Sequence, residues 1–238
     1  MLKERIKSIS SKVASDLFIV QIKWSLWYIA VIVLLHIFVL FIVARGIFAL
    51  SYGSTPVFML ILGIIAGNFL PFYVKQGVTR KDYYLGAALA ALGLSFTIAL
   101  IFSILSGIES ALYSALNLGI TIDPFNLQVS IEGSTNGVIS LLTYALNVFT
   151  YYLIGWLVYL GFYRFRWVTG LGFCVLAFLI ILFHGFIWND EILTIFGTEG
   201  ISEVLNLPIF SAIFGTIVLI VVLLCLIRLV MSRVSIEV

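Results

Sequence analysis

Six stretches of the chain are apolar over lengths that no amphipathic surface helix needs. Runs such as VIVLLHIFVLFIV (31–43) and IVLIVVLLCLI (217–227) are apolar around the whole circumference of a helix, not along one face. The stretches fall at 24–43, 56–74, 83–108, 138–163, 167–188 and 208–230, each near or above the roughly 20 residues a helix needs to cross the hydrocarbon of a bilayer. Strands of a lipid-facing barrel would be about 10 residues long and alternate in polarity. A helix instead satisfies every backbone group within its own segment, which lipid demands. The pattern therefore predicts an all-α membrane protein, a single transmembrane domain over 1–238 with six transmembrane helices.

Ahead of the first span, the period changes. On a helical wheel Leu2, Ile6, Ile9, Val13, Leu17 and Val20 share an arc of about 80°, and Lys3, Arg5, Lys7 and Lys12 lie off it. Residues 1–23 are expected to form a separate amphipathic helix in the membrane interface, its apolar face toward the acyl chains and its basic residues toward anionic lipid. A plain juxtamembrane anchor is the simpler alternative. A signal peptide is excluded because the apolar run that follows is about 20 residues long and no small-x-small site ends it.

Composition agrees: of 238 residues 63% are hydrophobic and 10% charged, with a mean hydropathy of +1.21. A formal net charge of +2 and only two cysteines disfavour a nucleic-acid binder, a disordered chain and a disulfide scaffold. Cys174 and Cys225 lie in apolar runs outside any CxxC pattern, as inert buried thiols would.

Charge placement sets the expected orientation. With both termini in the cytosol, the inner segments hold Lys3, Arg5, Lys7, Lys12 and Lys23, then Lys75, Arg80 and Lys81, then Arg164 and Arg166, and last Arg228 and Arg233. Only Arg45 of the 13 basic residues falls outside. The outer segments carry Glu109, Asp123, Glu132, Asp190, Glu191, Glu199 and Glu203. This is the bias of the positive-inside rule.

Little in the spans supports chemistry. Away from the span ends the ionisable residues are His36 and His184, and neither has an acidic partner within its own span. There is no GxSxG elbow, no HExxH and no GxxxxGK[ST]. The chain is expected not to be an enzyme and to bind no cofactor. If ATP drives it, ATP and Mg sit on another polypeptide.

The segment VKQGVTRKDYYLG (74–86) is the most informative inner loop. Gly77 permits a tight turn, and Thr79 with Asp82 forms a Thr-x-x-Asp capping box at the start of the third span. Arg80 and Lys81 then stand in a helix's first turn, where the macrodipole opposes positive charge. Topology alone would explain them; a soluble protein docking here is the functional alternative.

GVTRKDYYLG (77–86) resembles the Gly-x-Ser/Thr-Arg-Lys/Arg-Asp/Glu-aromatic-aromatic-x-Gly stretch between the second and third helices of small ABC type-2 exporter permeases of Gram-positive bacteria. YRFRW (163–167), followed by Gly170, is similar to their Tyr-Arg-Phe-Gly-Trp segment between the fourth and fifth helices. The architecture matches over the whole length, the motifs over some fifteen residues. In that family the loop between the second and third helices is the coupling element that sits on a separate ATPase. The resemblance implies that Gly77, Thr79, Arg80, Lys81 and Asp82 shape a docking element flanked by Arg164 and Arg166. Arg166 departs from the family, which often has Gly there, and this puts the second loop's role in doubt. Within the family the chain looks closest to phenol-soluble modulin exporters or bacteriocin-immunity permeases. Implied partners are ABC ATPase subunits, a second permease copy or homologue, the lipid bilayer of the bacterial cell membrane, and an amphipathic peptide substrate, with no nucleic acid.

Helix packing is legible as small-residue stripes. Gly63 and Gly67 form a GxxxG pair in the second span, and Gly86, Ala90, Gly93 and Thr97 share a face of the third. Packing within the chain is favoured there over a dimer interface. Pro71 is expected to kink or end the second span, with Asn68 satisfying a freed backbone group. Segment 109–137 is expected to be an irregular outer loop, with a short helix extending the third span through Leu116. Segment 189–207 fits either a pair of half-helices dipping into the outer leaflet or a solvated acidic loop.

These features predict a permease subunit of an ATP-driven exporter. Two alternatives stay open. One is a six-helix substrate-capture subunit of a vitamin-uptake transporter, for which Tyr144, Asn147 and Tyr151 are the polar cluster on offer. The other is a passive channel or structural membrane protein, although no filter loop or ring of charge is evident.

Overall fold

A computed structural model describes residues 2–43, 49–115, 137–165, 167–188 and 208–232. Among them are six helices: α1 Leu2–Val43, α2 Ala49–Lys75, α3 Arg80–Ala115, α4 Gly137–Arg164, α5 Trp167–Trp188 and α6 Ile209–Ser232. All six are long and apolar enough to cross a membrane. The chain is built as a multi-pass membrane protein. The segments 116–136 and 189–207, and with them the expected outer loop and half-helices, lie outside the described residues.

The chain divides into two compact units, Met1–Phe58 with Leu85–Val148, and Met59–Tyr84 with Phe149–Val238. In the first, the Gly86 and Gly93 stripe of α3 receives α1. A side chain at Gly86 would collide with Val13 and the Ser10 carbonyl, and a methyl group added at Gly93 would rest 3.6 Å from the Phe18 ring. Ala90 between them is buried. Since 13 pairs with 86 and 18 with 93, the two helices run parallel. Farther along α1, the Tyr28 hydroxyl hydrogen-bonds the hydroxyls of Ser54 (2.7 Å) and Thr55 (3.2 Å), and its ring stacks on Phe58 at 4.0 Å.

Here the structure differs from the sequence expectation. The N-terminal segment is not a separate element: α1 is one helix of 42 residues, with no Pro or Gly from Leu2 to Val43 to break it. In the described part of its apolar arc, Val13 and Leu17 are buried and Ile9 and Val20 half-buried. Within α1 the described stretch Ile9–Leu35 is long and apolar enough to cross a membrane and overlaps the expected span 24–43, part of whose side chains lie outside the described residues. Periodicity revealed the apolar arc but not which surface covers it.

In the second unit, α2 and α4 approach at backbone distance. The missing side chain of Gly63 is filled by the Tyr152 carbonyl, that of Gly155 by the Leu60 carbonyl, and Gly67 lies under the Tyr159 ring. The GxxxG pair is thus used inside the chain, and Gly155 is the reciprocal position that the stripe reading missed. Helix α2 continues through Pro71 to Lys75. Asn68 does not serve its backbone: its Oδ1 accepts from the Tyr159 hydroxyl at 3.0 Å. Helices α4 and α5 mesh through Gly161 against Phe173 and Gly170 against Phe162, and α5 meets α6 where Trp188 Nε1 donates to Thr216 Oγ1 at 2.9 Å. The two cysteines are exposed, not buried. In a membrane helix the exposed face is the apolar one, so an apolar run does not predict burial.

Candidate functional site

The turn between α2 and α3 is built entirely from backbone and short side chains. Helix α2 ends in a left-handed residue, Gly77, at φ 87°. Val78 N–H donates to the Tyr73 carbonyl at 3.1 Å, and Gly77 N–H to the Val74 carbonyl at 2.9 Å. These are the 6→1 and 5→2 bonds of a Schellman cap, which satisfies two of the carbonyls a helix end leaves bare. Two residues later α3 begins. Thr79 Oγ1 accepts from the Asp82 N–H at 3.1 Å and donates to Asp82 Oδ2 at 2.6 Å, while the Tyr83 N–H bonds the Thr79 carbonyl at 2.9 Å. Both helix ends are capped with one residue, Val78, between the caps. Such a turn has little freedom to bend.

Beneath the turn, aromatic residues anchor it. Tyr83 is fully buried and its hydroxyl donates to the Ala66 carbonyl of α2. The Tyr84 hydroxyl donates to the Leu224 carbonyl of α6 at 3.1 Å. Trp156 of α4, itself fully buried, meets the rings of both, edge-on to Tyr83 at 6.4 Å and stacked on Tyr84 at 6.0 Å. The Arg228 guanidinium of α6 lies over the Tyr84 ring, 5.3 Å from its centroid.

Arg80 resolves the electrostatic conflict seen in the sequence. Its guanidinium donates to the Ser232 carbonyl in the last turn of α6 at 3.3 Å. Arg164, at the end of α4, donates to the Val230 carbonyl at 3.4 Å. A cation repelled by one helix's N-terminus is thereby placed at another's C-terminus, where bare carbonyls and the dipole both favour it. The structure therefore gathers Gly77, Thr79 and Asp82 in the turn and brings Arg80 and Arg164 to the last turn of α6. Asp82 is buried within the cap, and Arg80 and Arg164 are engaged with α6. The exposed remainder is Lys75, Gln76, Gly77, Thr79 and Lys81. Arg166 lies outside the described residues.

The residues that sequence reasoning missed are those on the far side of these contacts: Trp156, Leu224, Arg228, Val230 and Ser232. Carbonyls leave no trace in a sequence, although Arg228, a cation in the last third of an apolar helix, was a visible signal. No family model, no curated protein and no solved structure matches the chain.

Elsewhere, His184 is buried with neither ring nitrogen hydrogen-bonded; its ring faces Tyr151 at 5.6 Å and Trp188 at 6.5 Å. His36 is in α1, in a part whose side chains are not described.

Proposed function

We propose that the chain is the transmembrane permease subunit of an ATP-driven ABC exporter in a bacterial cell membrane, with both chain ends in the cytosol. It would work with a second permease and separate ATPase subunits to move amphipathic peptides or other hydrophobic substrates outward. The observation that carries this reading is the doubly capped α2–α3 turn. It exposes Lys75 and Lys81 beside Gln76 and Thr79, and it is tied to α6 through Tyr84 and Arg80 and to α4 through Trp156, while Tyr83 fastens α3 back onto α2. A push on such a turn moves those helices, because the caps leave it little slack. The resemblance of GVTRKDYYLG to the coupling stretch of type-2 permeases supports the same assignment. Residues before Ile9, which carry Lys3, Arg5 and Lys7, remain to meet anionic headgroups.

Purification from its native membrane tests the reading: an ATPase should come with the chain in fixed ratio, and Lys81→Glu should release it.

A second reading, a capture subunit for a small polar ligand, draws on Asn147, whose buried Oδ1 has no hydrogen-bond partner. An acceptor left bare in a membrane protein is costly, and a ligand donor would relieve it. Tight binding of a small vitamin by the isolated chain would favour this reading over the exporter.

A further inference from the structure

The outward face of α1 carries charge at a depth where the rest of the unit is apolar. Ser10, Val13, Leu17, Gln21 and Ser25 are buried along one side of the helix. Lys12, Asp16 and Lys23 are exposed, and they project within about 40° of one another from the opposite side.

Their depth follows from packing. Val13 lies against Gly86, about 9 Å along α3 from its first residue. Tyr28 bonds Ser54 and Thr55, where the apolar span of α2, Ser54–Lys75, begins. Residues 13–28 therefore run beside membrane spans for their whole length. Lys12 stands at the edge of this stretch, Asp16 one turn inside it, and Lys23 deeper still.

Ionisable side chains at membrane depth normally face a protein interior or pair with one another. These face outward, and neither Lys12 nor Asp16 makes an ion pair among the described residues. Within one helix, a Lys four residues before an Asp is the weaker order for pairing. Asp82, the nearest acid in the inner half of the sequence after Asp16, is buried in its cap. Glu109 and the acids of segments 116–136 and 189–207 belong to the opposite ends of the spans. Glu4 and Glu237 lie outside the described side chains, so among the described residues the available counter-charge at this depth is the same stripe on another copy. A surface with one cation and one anion a turn apart is complementary to itself across a two-fold axis, which makes two equivalent pairs. Between and above them lie the exposed Ser15 and Ile19, a small residue that permits close approach and an apolar one to cover the pairs.

We propose that α1 packs against α1 of a second copy of this chain, Lys12 of each copy pairing with Asp16 of the other. Lys23, about 16 Å farther along the helix than Lys12, takes no part in this pairing. This deepens the permease-pair reading by naming the contact and the identity of the second permease. Its test needs no ATPase, so the two can fail separately.

The experiment uses the full chain in membranes, with Cys174 and Cys225 replaced by Ser and a single cysteine introduced as Ile19→Cys. Mild oxidation should give a disulfide-linked dimer. Lys12→Asp or Asp16→Lys alone should each lower the dimer yield about tenfold. Chains bearing the two reversals separately, when co-expressed with distinct tags, should cross-link to each other at near the original yield, because they carry opposite signs at both positions. Ser15→Trp, which alters no charge, should also abolish the cross-link. No dimer in the parent chain, an undiminished yield in either single reversal, or no recovery on co-expression would overturn the proposal and leave the stripe to lipid or an unlike protein.

Discussion

Arg80, the first residue of α3, donates to the carbonyl oxygen of Ser232 in the last turn of α6. One side chain thereby joins the proposed coupling turn to the far end of the chain. It also separates two adjacent cations that the sequence presents as equivalent: Arg80 is committed to α6, whereas Lys81 is exposed.

The first prediction follows from that division. Arg80→Glu replaces a favourable cation at the end of α6 with an anion facing bare carbonyls, and should cost about 1 kcal/mol of stability. Lys81→Glu should change stability by no more than about 0.5 kcal/mol and yet lose the ATPase. Unfolding in detergent and co-purification, measured on the same variants, check both halves. Equal destabilisation by the two would show that Lys81 has an intramolecular role.

Gly77 gives a purely backbone test. Nothing lies within 4 Å of a side chain added there, so Gly77→Ala should cost about 1–2 kcal/mol from its left-handed conformation alone. Gly77→Asn should cost less, because Asn tolerates that region. Unfolding midpoints of the two variants should rank in that order; equal effects would point to a lost contact instead.

Close helix approach predicts a sharper contrast. A methyl group at Gly63 or Gly155 would strike backbone carbonyl oxygen, which cannot move aside without separating α2 from α4. Gly63→Ala and Gly155→Ala should each cost on the order of 1–3 kcal/mol. Gly172→Ala, with nothing within 4 Å, should be neutral or slightly stabilising, as helix propensity favours Ala. Thermal stability in one detergent ranks the three.

The turn was legible in the sequence because its chemistry is local. Gly77, Thr79 and Asp82 act within a few residues of one another, and left-handed turns and caps admit few residue types. The small-residue stripe at Gly86 and Gly93 was equally visible, but its occupant was not. The same arc that looked fit for a lipid interface fits a neighbouring helix, since both demand apolar side chains on one face. What Arg80 and Arg164 bind could not be read, because the acceptors are main-chain atoms far along the sequence.

Topology has its own expected outcome. Single cysteines near 79 and 165 should label only from the cytosolic side, and those near 125 and 197 only from outside. Labelling of either pair from the other side would invert the proposed orientation and remove the turn from reach of a cytosolic ATPase.

The central claim is that the α2–α3 turn transmits ATP-driven movement for export, and peptide-stimulated ATP hydrolysis by the assembled complex in lipid vesicles tests it most directly. Hydrolysis should rise when an amphipathic peptide is added. Gly77→Val should keep the basal rate and lose the rise, because a β-branched residue resists the positive φ that holds the turn. Hydrolysis indifferent to peptide, together with tight binding of a small vitamin by the chain alone, would contradict the exporter account.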